Sequence, residues 1–165
     1  MFMNPIESFT LDHTKLVPGI YERYTKGNVK TWDIRFKYPN SGDYIKPEVS
    51  HTLEHFLATY LKNTMKGLIY GVFPMGCLTG FYVLTTESVT EDDLASGLLG
   101  SHAYIESSES IPGASIESCG NYKFQDLNGA KEEMNKFYNS VLVKYEETLC
   151  KDLCSKDYVK ENNND

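Results

Sequence analysis

The sequence lacks the long apolar runs of a membrane protein and the basic stripes of a nucleic-acid-binding protein. No stretch approaches the ~20 apolar residues that a membrane-spanning helix needs. The N-terminal MFMNPIESF has no basic region followed by an apolar one, so no secretory signal is expected. Only 16 Lys and Arg stand against 23 Asp and Glu, which gives a net charge of -7. Because an acidic chain repels a phosphate backbone, we expect no nucleic acid as a partner. Since no membrane span and no secretory signal are predicted, we expect a cytoplasmic protein without a membrane partner.

The chain shows no internal repeat and no Pro/Ser-rich linker, so its 165 residues predict one domain. We assign this domain to 1–150 and expect the polar, Asn-rich stretch 151–165 to be a frayed tail. The four cysteines are Cys77, Cys119, Cys150 and Cys154. Without a secretory signal they are expected to be thiols rather than disulfides.

Strands are predicted in runs, with helices between and after them. β-forming residues predict a strand at 28–38, and apolar residues at helical spacing predict a helix at 48–66. Two further strands, LIYGVFPMGC and TGFYVLTTE, join around Met75 and Gly76. A helix starts near Thr90, loop and a short strand follow in SIPGASIESCGNYKF, and a last helix follows Gly129. This order favours an α+β fold, a mostly antiparallel sheet with helices packed on a face.

Histidine is scarce, yet two of the four histidines stand in the five residues HTLEH. On a helix, His51 and His55 share a face and can reach one metal ion, and Glu54 projects near them. This is the spacing of the inverted zinc-peptidase motif H-x-x-E-H. Two ordinary histidines, one flanking the helix and one in the core, fit these five residues equally well.

A catalytic metal usually has three protein ligands. Cys119, in ESCGNY, is the most suggestive third ligand, since thiolates bind zinc and iron(II) strongly. Cys77 lies in PMGCLTG, where proline and glycine indicate a tight turn that presents the thiol. For both, a small buried apolar thiol is the alternative. Cys150 and Cys154 have no further ligand near them in sequence and receive no role.

Taken together, these segments resemble the S-ribosylhomocysteine lyase family, the LuxS-type autoinducer-2 synthases. The resemblance runs from about residue 7 to 145 in the family's order, and HTLEH followed by PMGC-TGFY and CGNY is its most specific part. The matching stretches are ESFTLDHTKL (7–16), DIRFKYPN (33–40), HTLEHFLA (51–58), PMGCLTGFY (74–82), IPGAS (111–115), ESCGNY (117–122) and DLNGAK (126–131).

The resemblance implies a homodimer of α+β subunits with two active sites at the interface. It implies one divalent metal per subunit, held by His51, His55 and Cys119. Iron(II) is the implied native metal, and zinc(II) or cobalt(II) can replace it. Cys77 and Glu54 are implied to be the acid/base pair.

The implied reaction cleaves the thioether of S-ribosylhomocysteine to homocysteine and 4,5-dihydroxy-2,3-pentanedione, the precursor of autoinducer-2. Two shifts move the carbonyl from C1 to C3, and deprotonation at C4 then expels homocysteine by β-elimination. A thiolate and a carboxylate can supply the proton carriers. Ser8, His13 and Arg35 match positions that contact substrate, reaching across from the partner subunit. Whether the product serves quorum sensing or only the activated methyl cycle stays open.

Four residues depart from the family's usual pattern. Gly71 stands where an aspartate usually lines the substrate pocket, and Phe73 stands where a serine usually precedes the proline. Tyr38 replaces a usual glutamine, and Gln125 replaces a common histidine. A lost charged hydrogen bond costs about 1.5–3 kcal/mol, so we expect a raised KM at Gly71 rather than a dead enzyme.

Two rival functions use the same residues. A metallopeptidase would also employ His51, Glu54 and His55, but it has no role for Cys119 as a ligand or for the PMGC turn. A metal-binding relic of the lyase family, disabled by the four departures, would fold and bind metal without turnover.

Overall fold

Four antiparallel strands form a single sheet in this computed structural model, which describes residue 4 and residues 6–151, without the side chains of Glu7 and Ser8. The strands lie in the order β1-β2-β4-β3. They are β1 (Gly19–Lys26), β2 (Val29–Arg35), β3 (Ile69–Pro74) and β4 (Gly80–Thr86). β1 and β2 form a hairpin through Gly27, whose φ of 60° is a conformation that glycine adopts without strain. The predicted α+β class and antiparallel sheet are therefore confirmed.

The helices are α1 (Glu7–Thr10), α2 (Pro47–Thr64), α3 (Glu91–Ser107) and α4 (Leu127–Phe137). α4 runs into a π-helical turn, Tyr138–Leu142, and helical conformation continues through 143–151. α2 begins with Pro47, which has no N–H and so leaves one fewer unpaired donor in the first turn. The predicted helices at 48–66, after Thr90 and after Gly129 are confirmed, and the last of them begins slightly earlier, at Leu127.

α3 begins with a capping box. The Thr90 side chain accepts from Asp93 N, and the Asp93 carboxylate accepts from Thr90 N at 2.9 Å. These bonds, from the backbone N–H of Thr90 first and its hydroxyl second, hold the pKa of Asp93 below its ordinary value. The helix start predicted near Thr90 is therefore the observed one.

The hydrophobic core lies between the helices and one face of the sheet. Trp32 and Ile34 of β2 alternate with polar neighbours and meet Leu53, Phe56 and Leu57 of α2 in one buried cluster. The three α2 residues are completely buried. Fully burying a side chain of this size stabilises the fold by about 1.5–3 kcal/mol. The core thus fixes the rotation of α2, and with it the direction in which its histidines point.

Two sequence-based expectations differ from the structure. The short strand predicted within SIPGASIESCGNYKF is wrong, because the backbone there consists of turns that pair with no strand of the sheet. β1 was not predicted, because Ile20 is the one fully buried residue among its eight and no alternation marks it.

The predicted tail lies outside the described residues except for Lys151. Cys77, Cys119 and Cys150 are free thiols, as expected, and Cys154 lies outside the described residues. No helix in the described part of the chain is long and apolar enough to cross a membrane.

Candidate metal centre

α2 directs two imidazoles at one point. His51 and His55 stand one helical turn apart, and their Nε2 atoms are 3.1 Å from each other. Both rings are half-buried. The HTLEH spacing therefore brings two nitrogen ligands together, as a metal site requires.

Backbone carbonyls fix the protonation of both rings. His51 Nδ1 lies 2.8 Å from Phe124 O, and His55 Nδ1 lies 2.7 Å from Pro112 O. A carbonyl can only accept, so both Nδ1 atoms must carry the proton. Each neutral ring then has a bare lone pair on Nε2. Two bare lone pairs 3.1 Å apart repel each other unless a cation lies between them, so this pair of rings is set up to bind one.

Cys119 supplies the third ligand atom. Its Sγ lies 3.4 Å from His51 Nε2, and the two nitrogens and the sulfur all lie within 4.8 Å of one another. The turn that carries it is closed by Cys119 N, which donates to Ser115 O at 3.0 Å. Ligands roughly 2.0–2.3 Å from a tetrahedral ion are separated by roughly 3.3–3.8 Å. The separations of 3.1 and 3.4 Å are close to this range, and the widest of the three is at most 4.8 Å, so these residues can converge on one divalent metal. Two imidazoles and a thiolate suit zinc, iron(II) and cobalt(II) rather than magnesium or calcium.

Thr52 and Gln125 complete the surroundings of His51, and the sequence did not point to either role. Thr52 is completely buried, and its hydroxyl contacts one end of the Gln125 amide at 2.8 Å. The same hydroxyl accepts from Asp126 N at 2.8 Å, and Asp126 caps α4 by accepting from Gly129 N. Thr52 thereby fastens the loop before α4 to α2. The only hint in the sequence was that Gln125 differs from the residue common in the resembled family. Its partner Thr52 is 73 residues away, so the sequence did not connect the two.

Glu54 lies on α2 between the two histidines and is half-buried. Because it follows His51 by three residues, it projects near the face that carries the ligands. Its role as a base stays a prediction.

Cys77 lies in the turn between β3 and β4 and is exposed. The turn is closed by Met75 N donating to Gly80 O and by Leu78 N donating to Met75 O, both at 2.9 Å. A Cβ on Gly80 would approach Ile34 O to 2.2 Å, so only glycine lets β4 start this close to β2. The tight turn read from PMGCLTG therefore presents the thiol, and the buried-thiol alternative is excluded for Cys77.

A buried ionic network stands behind this thiol. Arg35 Nη1 is 4.0 Å from Cys77 Sγ and donates to Thr79 Oγ1, which itself lies 3.0 Å from the sulfur. Arg35 Nη2 and Arg23 Nη2 both donate to Asp33 Oδ2, at 2.6 and 2.7 Å. Arg35 is 1% exposed. If two subunits share an active site, Arg35 and Cys77 of one subunit therefore contribute to it together. The sequence did not show this.

The remaining substrate-binding predictions fall in the N-terminal segment. His13 follows α1, is half-buried, and donates from Nδ1 to Leu11 O at 2.9 Å. Its Nε2 is left with the lone pair. Ser8 belongs to α1, and its side chain lies outside the described part of the structure.

The face of the sheet away from the helices carries a cavity of about 710 Å³. Asp33, Arg23 and Tyr82 give it a polar wall, and Phe73 and Tyr24 an apolar one. Burial raises the pKa of Tyr82, and the charge of Asp33 raises it further, so the phenol stays protonated.

Two of the four departures from the family pattern meet on this face. A Cβ on Gly71 would lie 2.6 Å from ring atoms of Phe73, so the aromatic ring occupies the space that a side chain at 71 needs. The residue types that positions 71 and 73 can hold therefore depend on each other.

Comparisons with known proteins find relatives over most of the chain. The family model of S-ribosylhomocysteinase (LuxS) matches residues 6–148. The S-ribosylhomocysteine lyase of Desulfotalea psychrophila is 41% identical over 149 residues, which cover 85% of this chain and 92% of that protein. The S-ribosylhomocysteine lyase of Borreliella burgdorferi is 46% identical over 146 residues, 82% of this chain and 90% of that protein. The S-ribosylhomocysteine lyase of Phocaeicola vulgatus is 38% identical over 149 residues, which cover 85% of this chain and 91% of that protein.

Proposed function

Since the chain belongs to the S-ribosylhomocysteinase (LuxS) family, we propose that it is an S-ribosylhomocysteine lyase working at the centre formed by His51, His55 and Cys119. The enzyme converts S-ribosylhomocysteine to homocysteine and 4,5-dihydroxy-2,3-pentanedione, the autoinducer-2 precursor. The observation that carries the proposal is the pair of bare Nε2 lone pairs, 3.1 Å apart and beside a thiol. An ordinary pair of core histidines would not be arranged with both acceptors facing each other.

A divalent metal, when bound, polarises a carbonyl of the substrate, which makes the neighbouring C–H acidic enough to be removed near neutral pH. His51, His55 and Cys119 would hold it. The hydrogen bonds from Nδ1 of His51 and His55 to backbone carbonyls keep the two rings oriented and basic, as hydrogen bonds to metal-binding histidines do in other metal sites. We propose iron(II) as the native ion and zinc(II) or cobalt(II) as replacements, in line with the thiolate-imidazole donor set.

Cys77 and Glu54 then carry the protons. In each carbonyl shift a proton leaves the carbon next to the carbonyl and another is delivered to the former carbonyl carbon. In the last step a proton leaves C4, the C5–S bond breaks, and the homocysteine thiolate departs and takes up a proton. Cys77 Sγ and the Glu54 carboxylate are the proposed carriers, and each general acid or base contributes roughly 10²–10⁴ in rate. Arg35 and Thr79 hold Cys77 in place through the contacts described above.

Ser8, His13 and Arg35 are the proposed contacts to substrate hydroxyls. His13 Nε2 is free to accept because its Nδ1 already donates to a carbonyl. Arg35 is committed to Asp33 and Thr79 in its own chain, so its contribution comes with Cys77 rather than separately. For Ser8 and His13, the proposal is that they reach the site of a second subunit, as the resemblance implies.

A homodimer through the sheet face that bears the cavity would complete the site. This face exposes large apolar side chains, among them Tyr24, Phe73 and Ile6. Apolar and aromatic side chains of this size are typical of the core of protein interfaces, so a second copy that covers the face gains from burying them.

The test is homocysteine release. The protein is purified without oxygen, loaded with iron(II) or cobalt(II), and mixed with S-ribosylhomocysteine, and free thiol is followed. We expect release that needs both the metal and Cys77. A metal-loaded, folded protein that releases no thiol would instead be a metal-binding relic of the family.

A further inference from the structure

The amide of Gln125 bridges the buried hydroxyl of Thr52 and the metal centre. One end of the amide lies 2.8 Å from Thr52 Oγ1, and the other end lies 3.4 Å from His51 Nε2. An amide nitrogen and oxygen have nearly the same size, so the hydrogen bonds around them decide which end is which. For Gln125 they can be counted.

Thr52 has one hydroxyl proton and two lone pairs. Its Oγ1 accepts from Asp126 N at 2.8 Å and lies 2.8 Å from Glu48 O. A backbone carbonyl cannot donate, so the hydroxyl proton goes to Glu48 O. The amide end that faces Thr52 must then donate, and it is the NH₂ group. The opposite orientation would make an amide oxygen and a carbonyl oxygen compete for one proton, in a residue that is completely buried.

The oxygen of Gln125 therefore faces His51 Nε2. It lies 3.4 Å from that nitrogen, the same distance as Cys119 Sγ, while His55 Nε2 lies at 3.1 Å. These are the separations expected between ligands of one tetrahedral ion. A cation held by the two imidazoles and the thiolate attracts an amide oxygen and repels an NH₂ group, so electrostatics favours the same orientation.

We propose that Gln125 Oε1 is the fourth ligand of the metal in the substrate-free enzyme, an inference that rests on the proposed metal centre. A neutral amide oxygen is a weaker ligand than a thiolate or an imidazole for these metals. Substrate can displace it, and until then it keeps water away from the ion. The resting centre thus has a resident ligand on a side chain whose other end is anchored to Thr52.

Cobalt(II) reports on this position independently of turnover. The substrate-free protein is loaded with cobalt(II) and placed in ¹⁷O-enriched water, and line broadening of its paramagnetic resonance spectrum measures water on the ion. We expect no broadening in the parent protein and clear broadening in Gln125→Leu. Competition with a chelator should show cobalt affinity falling about 10- to 100-fold in that variant.

Two further variants make the result specific. Gln125→Glu keeps an oxygen at the same reach and should bind cobalt(II) without broadening. Asn121→Leu removes an exposed amide from the same loop and should behave as the parent. Equal broadening in the parent protein and in Gln125→Leu would overturn the proposal. The metal centre itself would be overturned if the parent protein showed no thiolate-to-cobalt absorption band, a band that we expect Cys119→Ser to abolish. The two failures are thereby distinguished.

Discussion

Arg35 Nη1 and Cys77 Sγ lie 4.0 Å apart, and the hydroxyl of Thr79 contacts both. The guanidinium is almost fully buried, whereas the thiol is exposed. The turn between β3 and β4 thus carries a reactive group whose support is built into the sheet. The position of Cys77 depends on Arg35 of β2, which is itself held by Asp33, as well as on the turn.

Thr79 should matter through its hydroxyl. In Thr79→Val the methyl replaces the oxygen that accepts from Arg35, leaving a buried donor unpaired at a cost of about 1–3 kcal/mol. We expect a loss of that size in the free energy of unfolding and a fall in kcat greater than any rise in KM. Thr79→Ser retains the oxygen and is the matched control. Urea unfolding and steady-state kinetics measure both; a valine variant as stable and active as the serine variant would contradict the supporting role.

Metal binding and proton transfer should separate by mutation. Cys119→Ser replaces a thiolate with a hydroxyl, and we expect it to lose bound metal and, with it, homocysteine release. Cys77→Ala leaves the three ligands in place and should bind metal as the parent does while releasing no homocysteine. Metal content after dialysis and thiol release give the two readouts. Normal turnover by Cys77→Ala would contradict the assignment of this thiol as a proton carrier.

The pocket change at Gly71 should be reversible only as a pair. Gly71→Asp alone brings a side chain to within 2.6 Å of the Phe73 ring, so the ring must move. Gly71→Asp combined with Phe73→Ser removes that conflict and restores a carboxylate. We expect the double variant to lower KM about tenfold or more, the value of one charged hydrogen bond, and the single variant to do less. Phe73→Ser alone is the control, and an unchanged KM in the double variant would refute this account of Gly71.

The dimer prediction rests on the exposed face of the sheet. Tyr24→Asp introduces a charge there, and burying an unpaired charge in an interface is costly. We expect a dimer in the parent protein and a shift towards monomer in this variant, measured by sedimentation. Leu68→Asp changes a comparably exposed apolar residue beside α2 and α3 and should leave the assembly unchanged. A monomeric parent, or equal effects of the two charges, would contradict an interface on this face.

The capping box of α3 predicts a pH-dependent contribution to stability. The folded-state pKa of Asp93 is depressed below 3.8, so its contribution is present above about pH 4 and is lost as the pH falls through the folded-state pKa. Asp93→Asn should therefore be destabilising at pH 6, and the difference from the parent should shrink by pH 2.5. Urea unfolding of the metal-free proteins at both pH values measures it. Asp92→Asn, an acid of the same turn outside the box, should show a smaller change.

Local signals predicted the elements that carry them. Helical spacing predicted α2, and Thr90 predicted the start of α3, because apolar stripes and helix starts are properties of neighbouring residues. HTLEH predicted two converging imidazoles for the same reason. β1 escaped prediction because its side chains are mostly exposed, and its pairing with β2 determines its conformation.

The outer parts of the centre depend on contacts between distant segments. Phe124 and Pro112 act through backbone carbonyls, which any residue would provide, so no residue type marks them. Thr52 and Gln125 meet across 73 residues. A sequence shows which groups are available, but the hydrogen-bond count that orients an amide or a ring requires the distances.

The carbonyl clamps on His51 and His55 have a consequence for the order of assembly. They attach the segment around Cys119 to α2 through the protein's own hydrogen bonds, 2.7 and 2.8 Å long, at two points that flank the cysteine. The cost of ordering that segment is therefore met before any ion arrives. A metal ion then binds to ligands that are already held in position, and one ion can replace another without refolding of the chain. Which ion resides there is then decided by the supply in the surroundings more than by the fold.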